Sequence, residues 1–342
     1  MQKRKKGEGL KICHPNAAGI DIGSVKHYVA VPVGRSKVRI RSFGCFTQDL
    51  YELLQWLKEC KIDTVAMEST SVYWIPVFRI LEASGIEVFL VNARKSKSVP
   101  GRKTDVKDCQ WLQELHSYGL LQASFQIDAR VKPLRTITRH RDTLIRQCST
   151  EISRMQKCLT QMNIQFHNVI SDITGESGTR IINAILAGER DPKVLADLCN
   201  SRIKASREII IKSLEGTWEQ DHIFVLKQCV TLYNSCQQAI RDCDIEIESI
   251  LDEMEKREGT EDVPKSSKKS QKRVQTNVPG FDMRSYLYRI TGVDLTRIDG
   301  LNSYSVMVLF SEIGNDMNRW PSVKHFTSWL GLCRRTKYQV IG

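Results

Sequence analysis

The hydrophobic period changes within the first 120 residues, and that change restricts the possible folds more than any other feature of the chain. Three strand-like runs, over 17–22, 28–33 and 38–46, are separated by the turn chemistry of Gly23-Ser24 and Gly34-Arg35-Ser36, which predicts an antiparallel meander. A helical period follows at Leu50, Leu53, Leu54 and Leu57, then a short strand over 64–67, a helix over 71–84 and a strand over 87–91. Ser71 stands where it would cap the second of these helices, and Tyr73 and Trp74 at its start read as core aromatics, with stacking on nucleobases as the alternative. Thr104 can cap a further helix that Gly119 ends. The predicted order is βββαβαβα, an α/β domain over 14–125.

Beyond it the pattern is helical. Apolar residues from Leu134 to Leu159 recur by threes, fours and sevens, and a second long helix is predicted over 218–256. The two could pair as an antiparallel coiled coil within a dimerisation region over 128–256, or sit in a compact bundle. Cys229, Cys236 and Cys243, seven residues apart, read as one buried stripe of that helix. Residues 257–280 lose the hydrophobic pattern and read as a linker. A small α-helical domain over 281–342 follows, in which Gly300 precedes a helix whose first N–H groups could meet a phosphate, as in helix-hairpin-helix elements.

The formal charge of +12 calls for a polyanionic partner, nucleic acid first. Its basic residues are clustered, and Arg94, Lys95, Lys97, Arg102, Lys103 and Lys107 form the run expected to meet a nucleic-acid backbone. No apolar run is long enough to span a bilayer, so no membrane partner and a cytoplasmic location are expected. Eleven cysteines without a CxxC pair suggest neither a disulfide framework nor a zinc site.

Four acids stand where a fold gains little from them. Asp21 interrupts the apolar strand Gly19-Ile20-Asp21-Ile22-Gly23, where a charge costs several kcal/mol unless it is paired or holds a cation. Glu68 closes the strand over 64–67, and Asp105 and Asp108 share one face of the helix before Gly119. Helix-dipole stabilisation alone would account for Asp105, and for Asp108 taken singly. Together with the βββαβαβα order, the set matches a ribonuclease H-like fold, whose acids converge from the first strand, the fourth strand and a later helix. Carboxylates without His or Cys suit Mg²⁺. Gly19, Gly23 and Ser24 leave room beside Asp21 for a backbone to approach.

The segments AGIDIGSVKHYVAV, VAMESTSVYWIPVFRILEASGIEVFLVNARKSKSVPGRKTDVKDCQWLQELHSYGLL and LTRIDGLNSYSVMVLFSEIGNDMNRWPSVKHFTSWLGLC resemble the DEDD (RuvC-like) transposases of bacterial insertion sequences, a family that includes bridge-RNA-guided recombinases. The resemblance implies a metal-dependent enzyme that cuts and rejoins DNA. Asp21, Glu68, Asp105 and Asp108 would be its catalytic, Mg²⁺-holding acids; element ends and target DNA, and a guide RNA, its partners; and a homodimer or homotetramer its assembly. It also implies a nucleophilic serine in a PxNKxSGG-like stretch beyond WLGLC. Here the chain reads RRTKYQVIG instead, without a serine, so this chain alone is expected to be unable to complete the reaction; a frameshift or premature end is the expected cause, since with allowed codons and one preceding C restored the neighbouring frame reads PKNKISGDW. The rival readings are a RuvC-like structure-specific endonuclease that uses water, and a non-catalytic DNA- or RNA-binding remnant.

Overall fold

The computed structural model describes residues 11–92, 105–254, 256–260, 263–264 and 277–332, with the backbone alone for Asp105 and Val106. The chain divides into two compact units, residues 1–126 and 127–342.

The first unit is built on a five-stranded sheet. Its strands are β1 (Ala17–Ile22), β2 (Lys26–Ala30), β3 (Ile40–Gly44), β4 (Thr64–Glu68) and β5 (Glu87–Val91), in the spatial order β3-β2-β1-β4-β5. The tight turns at Gly23 and Gly34 fold β1 to β3 into an antiparallel meander, whereas helices α1 (Thr47–Glu59) and α2 (Trp74–Ala83) carry the chain over to the parallel strands β4 and β5. The second and third strands are shorter than their sequence patterns predict. Pro32 has no N–H to donate, so after the Val31 N–H bonds the Arg39 carbonyl at 3.0 Å the ladder stops.

Alternation along the strands separates the two faces. Ile20, Ile22, Val29, Val65 and Met67 join Leu53, Leu57, Val77 and Leu81 in the core. The opposite face carries helix α3 (Asp105–Ser117), which buries Cys109 and Leu112. Gly119 ends it as expected, at φ +66°, with the Leu120 N–H returning to the Leu115 carbonyl.

The expected cap at Ser71 is not formed. Ser71 lies in the left-handed region at φ +50°, its carbonyl accepts the Trp74 indole N–H at 3.1 Å, and α2 begins only at Trp74. This later start leaves Tyr73 in the turn, exposed, which corrects its assignment to the core; Trp74 does pack against the core.

In the second unit, α4 (Lys132–Gln161) and α8 (Gln220–Glu253) run antiparallel, as the contacts of Arg141 with Asp244 and of Cys148 with Gln237 require. The cysteine stripe packs as its spacing predicts, with Cys229 and Cys243 buried and Cys236 half-buried. Between the two long helices, α5 (Glu176–Leu186), α6 (Pro192–Asp197) and α7 (Arg207–Ser213) close a second core around Met162, Phe166, Ile181, Leu195, Leu214 and Leu226. Helices α9 (Met283–Thr291), α10 (Ser303–Ile313) and α11 (Val323–Trp329) follow. Within the stretch read as a linker, the Arg257 N–H bonds the Arg289 carbonyl at 2.8 Å and Thr260 is buried. Among the described residues, no helix is long and apolar enough to cross a membrane.

Candidate active site

Asp21 is the fifth residue of β1 and Glu68 the last of β4. The parallel ladder pairs Gly19 with Ala66 and Ile20 with Met67, so its continuation sets Asp21 beside Glu68 at the C-terminal ends of two adjacent strands. Both belong, with Gly19 and Ala66, to the set of positions facing α3. Asp21 is half-buried and Glu68 only 6% exposed.

Helix α3 brings the third acid to this face. It lies so close to β1 that a Cβ on Gly19 would stand 2.3 Å from the Cys109 carbonyl oxygen and 2.4 Å from the Gln113 nitrogen. Asp108, half-buried, immediately precedes Cys109. Burial pushes the Cys109 thiol up to about 12, and the charges of Asp21 and Asp108 both add to the rise, so the fields of the two carboxylates overlap at this thiol. Asp105, the first residue of α3, lies about one turn before Asp108, and its side chain is outside the described residues. Among the described residues, no group of three or more His, Cys, Asp or Glu side chains is close enough to hold a metal ion.

Two contacts that the sequence gives no sign of hold α3 in place. From the β2–β3 connection, Arg39 donates to the Gln113 side chain at 3.0 Å and to the Glu114 carboxylate at 3.3 Å. At the far end of α3, His116 is buried with its Nε2 2.8 Å from the Thr64 hydroxyl, and the His14 ring stacks on it at 4.8 Å. These residues are far apart in sequence, and nothing in their local spacing pairs them.

Of the expected nucleic-acid contacts, Lys107 is exposed on α3, one residue before Asp108. Arg94, Lys95, Lys97, Arg102 and Lys103 lie outside the described residues. Gly300 belongs to the second unit, where its φ of +86° turns the chain ahead of α10; the Asn302 side chain then caps that helix by accepting the Ser305 N–H at 2.8 Å.

Residues 18–164 match the model of a transposase family, the DEDD transposases of the IS110 type. The match covers the sheet from β1 onward, α3 and all of α4, and it supports a transposase function in general terms. No curated protein matches the chain.

Proposed function

We propose that the chain supplies the acid, metal-holding centre with which DNA strands are cut and rejoined in the transposition of an insertion sequence, at the place where β1, β4 and α3 meet. The observation that carries this reading is the parallel register that sets Asp21 beside Glu68, with Asp108 on the helix that packs directly against β1 at Gly19. The order β3-β2-β1-β4-β5, with an antiparallel meander and two parallel strands, supports a ribonuclease H-like fold for this unit. The pairing of α4 with α8 supports a coiled-coil arm.

Mg²⁺ is the cofactor that this donor set suits, since the acids offer hard oxygen ligands. Asp21 and Glu68, which the strand register sets side by side, would hold it first, with Asp108 and Asp105 of α3 drawn in as the ion binds, since among the described residues no three such side chains yet stand close enough for a metal. Such an ion, when bound, neutralises charge on phosphate oxygens at the point of displacement. The protein's own part is to bury Glu68, fix the strand ends, and place exposed cations such as Lys107 where a DNA backbone would lie. The partners follow from the same reading: the element ends and target DNA, a guide RNA, and further copies of the chain in a dimer or tetramer.

In the full chain, Asp21→Asn and Glu68→Gln should each remove Mg²⁺-dependent cleavage of branched and supercoiled DNA by on the order of a thousandfold, the several kcal/mol of charge stabilisation involved. DNA affinity should stay within about twofold, because phosphate contacts supply most of it. Mn²⁺ binding followed by paramagnetic resonance should weaken in the same variants, a readout that needs no turnover. Wild-type Mn²⁺ affinity and wild-type cleavage in both variants would overturn the reading, and cleavage without any joined product would favour the endonuclease instead.

A further inference from the structure

The end of the sheet that carries Asp21 and Glu68 also carries a group of large apolar side chains in water. Val25 sits in the turn leaving β1, and Val72 and Tyr73 in the connection leaving β4; Phe46 follows β3, whose C-terminal end lies at this same end of the sheet. Val25 is 72% exposed, Phe46 82%, Val72 62% and Tyr73 44%. Cys45 brings Phe46 to the first turn, its thiol reaching the Gly23 carbonyl at 3.7 Å. Parallel pairing of β1 with β4 sets that turn beside the connection leaving β4.

The connection that holds Tyr73 is tied down at both ends. The Ser69 N–H and hydroxyl donate to the Val91 carbonyl at 3.0 and 3.2 Å. The Trp74 indole donates to the Ser71 carbonyl, and the same ring meets Phe78 edge-on at 5.5 Å within the core. The residue between, Ser71, is kept at a positive φ that a serine rarely adopts, and Tyr73, two residues on, is exposed.

We propose that these side chains, Phe46 and Tyr73 above all, form a surface on which unpaired nucleobases stack while the adjoining phosphate lies at the acids. The inference deepens the transposase reading and rests on it for the position of the phosphate. Charge selects the occupant: Lys26 at the start of β2 and Lys107 on α3 are exposed at this end, in a chain of net charge +12, which suits a polyanion that also offers apolar faces. A paired duplex hides its base faces, so the substrate is single-stranded or locally opened nucleic acid.

The experiment uses the full chain and oligonucleotides that carry a fluorescent adenine analogue, whose emission falls on stacking, either unpaired in a bulge or paired in a duplex. The expected result is quenching and tighter binding for the unpaired probe. Tyr73→Ala and Phe46→Ala should each weaken that binding roughly five- to a hundredfold and restore emission, while Tyr73→Phe keeps both, as base–aromatic stacking requires. Both residues are exposed, and matching thermal melts would show that the variants fold. Equal affinity and equal quenching in wild type and in a Tyr73→Ala/Phe46→Ala double variant would overturn the proposal. So would a drop in oligomeric state in the double variant with oligonucleotide binding unchanged, which would make a second copy of the chain the occupant. If the stacking signal follows Tyr73 while Asp21→Asn leaves Mn²⁺ binding and cleavage untouched, the metal reading fails and the stacking surface stands.

Discussion

The two units bury ionisable groups for different ends. In the helical unit the guanidinium of Arg141 is enclosed completely, but its half-buried counter-charge meets it directly: Nε donates to Asp244 Oδ1 at 2.5 Å, Nη2 reaches Asp244 Oδ2 at 3.3 Å and the Asn277 carbonyl at 2.9 Å, and the Tyr304 ring lies 5.0 Å from the guanidinium carbon. Burial pulls the Arg141 pKa down, yet Asp244 and Tyr304 outweigh it and the group stays charged. In the sheet unit, Glu68 closes a strand end and His116, near the end of α3, is buried as a neutral ring. A buried charge compensated inside a helix packing holds structure together; acids placed at strand ends are where chemistry is expected.

The largest effect should come from Arg141. Arg141→Leu leaves the Asp244 carboxylate in a site built for a cation, at a cost of about 3–5 kcal/mol, whereas the double variant with Asp244→Leu should regain most of that loss. Urea denaturation of the two variants would measure it. A single variant within 1 kcal/mol of wild type, taking ~1 as the scale of an exposed pair, would remove the contrast between the units.

Acid should separate the units next. Burial first, and then the neighbouring His14, lower the His116 pKa from 6.5 to about 4, against the pull of Asp63. The unfolded chain therefore takes up this proton before the folded one does. The stabilisation is complete above pH ~6.5 and is lost as pH falls toward ~4, by about 3 kcal/mol in all. His27, lowered by burial, works in the same direction. In the helical unit, burial raises the Glu312 pKa but Arg139 and Arg135 more than reverse it, so this carboxyl lies below its ordinary range and its contribution is lost only in stronger acid. Hydrogen exchange followed from pH 7 to pH 4, on the order of the His116 window, should show the sheet unit loosening first, and His116→Asn should flatten its slope. Simultaneous loosening of both units, or an unchanged slope in the variant, would contradict this.

Legibility in the sequence divides along similar lines. β1 and β5 and the end of α3 at Gly119 were readable because period-two alternation and turn glycines act locally. Asp21 was readable as a charge inside an apolar run, and Glu68 as the close of a strand. Their adjacency needed the β1–β4 register, a contact across more than forty residues that no local pattern encodes. The start of α2 was misplaced because Ser71 has the chemistry of a cap, while the Trp74 indole, three residues on, binds the Ser71 carbonyl and delays the helix. Nothing in its local sequence marks Arg141 as buried, since its place in the core depends on Asp244 and Tyr304, on two other helices.

The smallest effect, and the one that most directly links fold to site, belongs to Gly19. The atoms that a Cβ would strike are a carbonyl oxygen of α3 and a backbone nitrogen and Cα one turn later, at 2.3, 2.4 and 2.9 Å. None of them can rotate aside as the end of a flexible side chain could, so Gly19→Ala must lift the helix, for about 1–3 kcal/mol as in overpacked cores. Arg39 opposes the lift through Gln113 and Glu114, and the displacement falls on the segment that carries Asp108. Gly19→Ala should therefore weaken Mn²⁺ binding by more than its thermal destabilisation accounts for, with a normal far-ultraviolet spectrum at low temperature. Ala66→Val, on the neighbouring strand of the same face, serves as the control for crowding alone. If it weakens the metal as much as Gly19→Ala does, the close seat of α3 on β1 is a packing convenience, and the acids owe their placement to the strands.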